Sequence, residues 1–191
     1  MGHDVQFGCN CGNVQGIISD VTAKSGLHAL CHCSQCRTAE LYLDQLDPIG
    51  SGVGVYQTAG DKVQFTSGRD QLAAFSFAPA RLVRWHATCC NAPLFNTMAS
   101  RRMGFASLIA ARASDPTQLG PIKAEGFLPA PNGKQLHKGL HRIIGGMLMR
   151  TIRITLSGKW RLSPFYDEDG QTIVPVANVT ADQTAHLLAK T

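Results

Sequence analysis

The sequence predicts a mainly β fold: an antiparallel sheet domain followed by an extension of mixed helix and loop. Three observations predict it. Short apolar segments of strand length recur over the first hundred or so residues. Gly-rich or polar breaks separate them, notably Gly50-Ser51-Gly52, Ala59-Gly60-Asp61 and Ser67-Gly68, as in a meander of hairpins. From Ser114 the character changes to a Pro- and Gly-rich connection with a helical stretch behind it.

In order, strands are expected over 13–19, 27–33, 54–58, 62–66, 72–77 and 81–86. A short helix follows Cys36, where Arg37 to Leu46 are good helix formers and Asp47-Pro48 supplies the stop. Two more strands are expected over 93–97 and 105–112, the second apolar enough to cross a core. A soft boundary near residue 113 divides a β domain, 1–112, from an extension, 113–191, expected to pack on it. The extension opens with Asp115-Pro116, Gly120-Pro121 and Pro129-Ala130-Pro131-Asn132-Gly133, and a helix is expected at about 135–154. The tail reads as loop and short extended pieces around Ser163-Pro164-Phe165 and Ile173 to Val176, with a small helix after Thr180.

At 191 residues the chain fits one domain, or a domain plus an extension, and can bury a real core. No apolar run approaches the roughly 20 residues of a membrane span. The strongest candidate, Ile143 to Met149, is broken by Gly145-Gly146 and flanked by Arg142 and Arg150, so it reads as a core or interface segment. No membrane partner is expected. The net charge of +5 suits an acidic thiol or nucleic acid, but solvated surfaces often carry such a balance. A homo-oligomer is compatible with all of this.

Seven cysteines fall in three groups: Cys9 with Cys11; Cys31 with Cys33 and Cys36; and Cys89 with Cys90. On an extended segment, side chains at i and i+2 project from one face, so paired sulfurs converge. Tetrahedral zinc at about 2.3 Å from sulfur needs sulfurs roughly 3.8 Å apart, within reach of such a pair. A disulfide framework is the rival reading. The odd count, and an opening Met1-Gly2-His3-Asp4 without the basic and apolar regions of a signal peptide, favour a reducing, cytoplasmic setting and metal. One isolated cysteine would read as a small buried hydrophobe; five in two clusters do not.

The run Cys31-His32-Cys33-Ser34-Gln35-Cys36-Arg37 supplies three thiolates in six residues and leaves a tetrahedral position open. That is the pattern of catalytic zinc, whose fourth site holds water or a substrate atom. This run resembles the Cys-His-Cys-x-x-Cys-Arg signature of the glutathione-dependent formaldehyde-activating enzymes, the GFA family, which also includes centromere protein V. Gly8-Cys9-Asn10-Cys11-Gly12 is similar to the family's opening Cys-x-Cys-Gly. The resemblance covers roughly residues 5 to 110. It implies an antiparallel β-tent zinc fold, one structural zinc, a second and labile zinc at Cys31, Cys33 and Cys36, and carbon–sulfur lyase chemistry. It also implies a small-molecule thiol, such as glutathione, and an aldehyde, such as formaldehyde, as substrates. Arg37 and His32 would be candidate donors to a developing oxyanion.

The family's third element is Cys-x-x-Cys-Gly; this chain has Arg84-Trp85-His86-Ala87-Thr88-Cys89-Cys90-Asn91-Ala92-Pro93. Cys9, Cys11 and Cys89 are ranked as structural ligands, and Cys90 and His86 compete for the fourth place. Adjacent strand residues face opposite ways, so a Cys89–Cys90 pair needs a turn, which Asn91-Ala92-Pro93 makes credible. The longer carboxy-terminal part departs from shorter members and suggests a divergent branch. A non-catalytic zinc-stabilised binding module and a redox-active thiol cluster are the alternative readings.

Other candidates carry less. His137 and His141, at i and i+4 on the expected helix, share a face but lack a supporting ligand and read as surface or packing residues. Arg101-Arg102, Lys134, Lys138, Arg142, Arg150 and Arg153 lack interleaved aromatics, which argues for a solvated face and against nucleic acid.

Overall fold

The computed structural model describes residues 2–22, 24–77, 82–130 and 134–189. Among these the chain forms β1 (His3–Gly8), β2 (Gln15–Val21), β3 (Leu27–Cys31), α1 (Ser34–Tyr42), β4 (Val53–Thr58), β5 (Val63–Ser67), β6 (Leu72–Phe77) and β7 (Leu82–Ala87). There follow β8 (Ala92–Met98), β9 (Ala106–Ile109), β10 (Ala124–Pro129), β11 (Gln135–Lys138), α2 (Leu140–Ser157), β12 (Val176–Val179) and α3 (Ala181–Ala189). The fold is mainly β. No helix among the described residues is long and apolar enough to cross a membrane.

The strands form two sheets: a small one ordered β1-β2-β5, and a nine-stranded one ordered β11-β10-β3-β4-β9-β8-β7-β6-β12. The middle of the large sheet, β3-β4-β9-β8-β7-β6, is antiparallel throughout. The expectation of an antiparallel sheet is corrected on either side of it, where β10 runs parallel to β3 and β12 parallel to β6. Both strands arrive over long connections, and only a tight hairpin forces the antiparallel sense.

Alternation sets the buried faces. β1 buries Val5 and Phe7, β2 buries Ile18, and the large sheet contributes Trp85 and Phe95; a register shift at Asp20, which has φ 55, turns Val21 inward as well. Phe7 stacks edge-on against Phe65 at 5.6 Å and Phe95 at 4.9 Å. Phe165, fully buried in the carboxy-terminal segment, fits between Trp85 at 5.0 Å and Phe95 at 5.3 Å. Trp85 Nε1 donates to Thr97 Oγ1 at 2.9 Å, so the burial of its indole leaves no orphaned donor.

Several expected boundaries shift. The strand expected over 105–112 ends at Ile109 in a short 3-10 turn, Ala110–Arg112. The helix expected over 37–46 spans Ser34–Tyr42 because Cys33 caps it. The helix expected at about 135–154 is corrected to strand β11 followed by α2; Gly139, at φ 70, makes the break. That break puts His137 on β11 and His141 on α2, so they are not an i, i+4 helical pair. Arg81 and Pro131-Asn132-Gly133 lie outside the described residues.

Candidate metal centres

The turn joining β1 to β2 is built around Cys9. Its backbone N–H donates to Val14 O at 2.9 Å, and the Val14 N–H donates to Cys9 Sγ at 3.3 Å. Gly12 takes φ +80, a conformation most side chains resist, and its N–H closes the turn on Cys9 O at 3.2 Å. Cys9 and Cys11 thereby bring their sulfurs within 3.5 Å. The turn between β7 and β8 brings Cys89 to 3.8 Å from Cys9 and 3.2 Å from Cys11. Asn91, at φ 53, tightens that turn, so adjacent Cys89 and Cys90 are freed from strand alternation. The four ligand atoms of Cys9, Cys11, Cys89 and Cys90 lie within 4.8 Å of one another and could hold a metal ion. Of the two competitors for the fourth place, the structure brings in Cys90; the His86 ring stacks instead on Phe75, 5.9 Å between centroids.

The second group spans the junction of β3 and α1. Cys31 ends the strand, Cys33 is the N-cap of the helix and accepts from the Cys36 N–H at 3.3 Å, and Cys36 lies in the first turn. Cys31 Sγ is 3.4 Å from Cys33 Sγ and 3.3 Å from Cys36 Sγ. These three could also hold a metal ion, and no fourth Cys, His, Asp or Glu among the described residues joins them. The sulfur separations suit a tetrahedral site with three protein ligands.

Cys31 and Cys33 open onto a cleft of about 640 Å³, within the usual range for small-molecule sites. Its walls are the 48–53 loop, Phe127, Leu128 and Pro129 of β10, and Leu188 of α3. Phe127 has φ 61, uncommon for an aromatic residue, at a register shift between Glu125 and Leu128. Its N–H donates to His137 Nδ1 at 3.2 Å and its ring packs edge-on against that imidazole.

The model of one sequence family, a family of unknown function (DUF6151), matches residues 1–176. The chain belongs to DUF6151. No curated protein matches it. A crystal structure of a Rhodobacter sphaeroides protein, a Northeast Structural Genomics target, is similar over 61% of this chain and 96% of its own, at 16% identity and a TM-score of 0.45.

The electrostatics of this DUF6151 chain bear on what its two groups hold. Hydrogen bonds from the Cys31 and Cys36 thiols hold Cys33 down at about 3, with the Cys36 amide and the Arg84 charge adding to the effect. Cys31 is correspondingly pushed up to about 11 and Cys36 well above the ordinary thiol range. In the other group burial pushes Cys9 up, but the Val14 amide and its three neighbouring thiols outweigh it and bring it to about 6. Cys89 is pushed up to about 12, first by its contact with Cys11. In each group, therefore, one thiol ionises readily at the expense of another. Holding every sulfur as thiolate takes a cation, which is the chemistry of a thiolate metal site.

The remaining predicted residues take defined places. Arg37 donates from Nε and Nη2 to the two carboxylate oxygens of Asp47, both at 2.7 Å, and Asp47 in turn accepts from the Ile49 N–H at 3.1 Å. Its fork fastens the cleft rim. The His32 backbone N–H donates to Gly126 O at 2.9 Å, while its buried Nε2 lies 4.0 Å from Glu125 Oε2 with no hydrogen-bond partner among the described residues. Arg84, 4% exposed, escaped the sequence reading: it donates to Asn96 Oδ1 at 3.2 Å and lies over the Phe77 ring. An arginine between Val83 and Trp85 in a strand buried on both faces was the available signal. The basic residues do not make one face, since Arg150 is buried and Arg101 is bound to the backbone carbonyls of Asp167 and Glu168.

Proposed function

We propose that the chain is a zinc-dependent, carbon–sulfur lyase-like enzyme acting on the adduct of a thiol and a small aldehyde, on a β-tent scaffold of the GFA type. The single observation that carries the reading is a three-sulfur group at the wall of an open cleft, in a chain that also holds a separate four-sulfur group. The sequence resemblance of the two cysteine motifs to the GFA family supplies the reaction class. In the forward direction the thiol adds across the aldehyde carbonyl: a C–S bond forms, and the thiol proton ends on the new hydroxyl. The reverse is the lyase step.

A zinc bound at the three-sulfur group would supply Lewis acidity to a thiol or a carbonyl oxygen. Cys31, Cys33 and Cys36 would hold it. Arg37 acts through Asp47 to fix the 47–49 rim and so is a positioning residue. His32 lines the cleft, and with its Nε2 buried toward Glu125 the ring would have to turn to donate to the oxygen that gains charge in the addition. Phe127 and Leu128 give the cleft an apolar wall against which a small aldehyde could rest.

The test combines metal counting with exchange kinetics on the purified chain. Elemental analysis is expected to give two zincs per chain, falling to about one in Cys33→Ser. Exchange between labelled formaldehyde and its glutathione adduct, followed by NMR, should be accelerated by the native chain and not by Cys33→Ser. Two zincs without acceleration would favour the non-catalytic binding module. One zinc unchanged by the substitution would favour the redox-active thiol cluster, visible as disulfide formation among Cys31, Cys33 and Cys36.

A further inference from the structure

Cys31 and Cys33 line the open cleft, but Cys36 lines a different space, a small cavity of about 10 Å³ that it shares with Glu40 of α1, Arg84 of β7 and Asn96 of β8. Arg84 is 4% exposed. Its Nη1 donates to the neutral Asn96 Oδ1 at 3.2 Å, and its Cζ lies 5.2 Å from the centroid of the Phe77 ring. Its Nε is buried and has no hydrogen-bond partner among the described residues.

No salt bridge joins this guanidinium to a carboxylate among the described residues. Glu40 lines the same cavity without forming one, and burial pushes its carboxyl above the ordinary range against the opposing pull of Arg112 and Arg84. A buried cation without an anion is strongly unfavourable, so the position calls for a negative charge within its reach. Three thiolates on one divalent zinc carry that charge, a net single negative, and the field of Arg84 already favours the Cys33 thiolate.

We infer that Arg84 is the counter-charge of the three-sulfur metal centre, a positioning residue that sets how tightly Cys31, Cys33 and Cys36 hold their ion. The inference rests on the zinc assignment proposed above. Arg84 acts through the thiolates from the cavity side and leaves the cleft side of the centre free. Cys9 and Cys89 respond chiefly to burial, the Val14 amide and their neighbouring thiols, so the four-sulfur group serves as an internal control.

The test is competition between the zinc-loaded full chain and chelators of graded strength, with zinc per chain counted in the native protein and in each variant. Cys33→Ser marks which zinc belongs to the three-sulfur group. Arg84→Met fills the space without the charge and should weaken that zinc about 10- to 100-fold, the usual effect of losing a group just outside the ligand shell, with the four-sulfur zinc unchanged. Arg84→Lys loses the planar fork but keeps the charge and should recover most of the affinity, which a purely packing role would not restore. Glu40→Gln, at a partly exposed position, removes a negative charge from the same cavity and should tighten the three-sulfur zinc. Native affinity in Arg84→Met, equal losses in Arg84→Met and Arg84→Lys, equal losses from both sulfur groups, or a Glu40→Gln chain that binds no tighter would each overturn the inference. A native chain without zinc at the three-sulfur group would overturn the zinc assignment itself, and the counter-charge with it.

Discussion

His86 and Cys90 are four residues apart in the sequence, and the turn after β7 separates their roles. His86 is still within the strand, where burial lowers the pKa of its imidazole. The sign of its pH effect follows directly. The folded value lies below the usual value of about 6.5, so the unfolded chain binds the proton more readily, and stability is fully present above that pH and is lost as pH falls below it. Urea midpoints of the native chain should therefore drop on the acid side of about pH 6.5, and those of His86→Phe should drop less in the same window. Metal analysis gives the complementary outcome: on the proposed zinc assignment, His86→Phe should keep the native zinc count, whereas Cys90→Ser should lose zinc from the four-sulfur group. Equal losses in both variants would return His86 to the ligand set.

Among the elements, the short carboxy-terminal segment around Phe165 does more for the core than its lack of regular structure suggests. Its ring closes an aromatic cluster with Phe65, Trp85 and Phe95, and the neighbouring Tyr166 hydroxyl donates to Thr97 Oγ1 at 3.0 Å. Phe165→Ala removes a fully buried ring from between the sheets and should cost about 3–5 kcal/mol, measured by guanidinium unfolding with unchanged slope. In α2 the two sides separate in the same assay. Ile154→Ala, on the buried side, should cost about 2–5 kcal/mol, while the exposed Thr155→Ala should stay within about 0.5 kcal/mol of native.

For the whole molecule, the four-sulfur group matters as a clasp. It ties the β1–β2 turn of the small sheet to the β7–β8 turn of the large one, across about eighty residues of chain. If the group holds the proposed metal, a strong chelator should lower the melting temperature and raise proteolysis of the first twenty residues, as expected when a long loop closure is undone. The carboxy-terminal part is equally tied in. β10 covers the β3 edge and β12 covers the β6 edge, so a chain ending at residue 112 would expose two unpaired edges and the Phe165 cavity. Such a fragment is expected to aggregate on expression; a soluble, cooperatively unfolding 1–112 would show that the β domain stands alone.

What the sequence determined by itself was local. Strand periodicity, Gly-rich breaks and cysteine spacing are set within a few residues, so the mainly β class, most of the strands up to β8, and the two cysteine groupings were legible. The sequence also held the alternatives it could not choose between, such as His86 against Cys90, because that choice depends on a left-handed Asn91 and the turn it makes. Tertiary structure decided everything that rests on distant partners. β10 and β12 are short and join the sheet by parallel pairing with strands roughly one hundred residues away in the chain, for which no local signal exists. Arg37 turned from a candidate donor at the cleft into a rim fastener once Asp47 was beside it, and Arg84 became the buried charge near Cys33. Spacing fixes which side chains share a face; only packing fixes what that face meets.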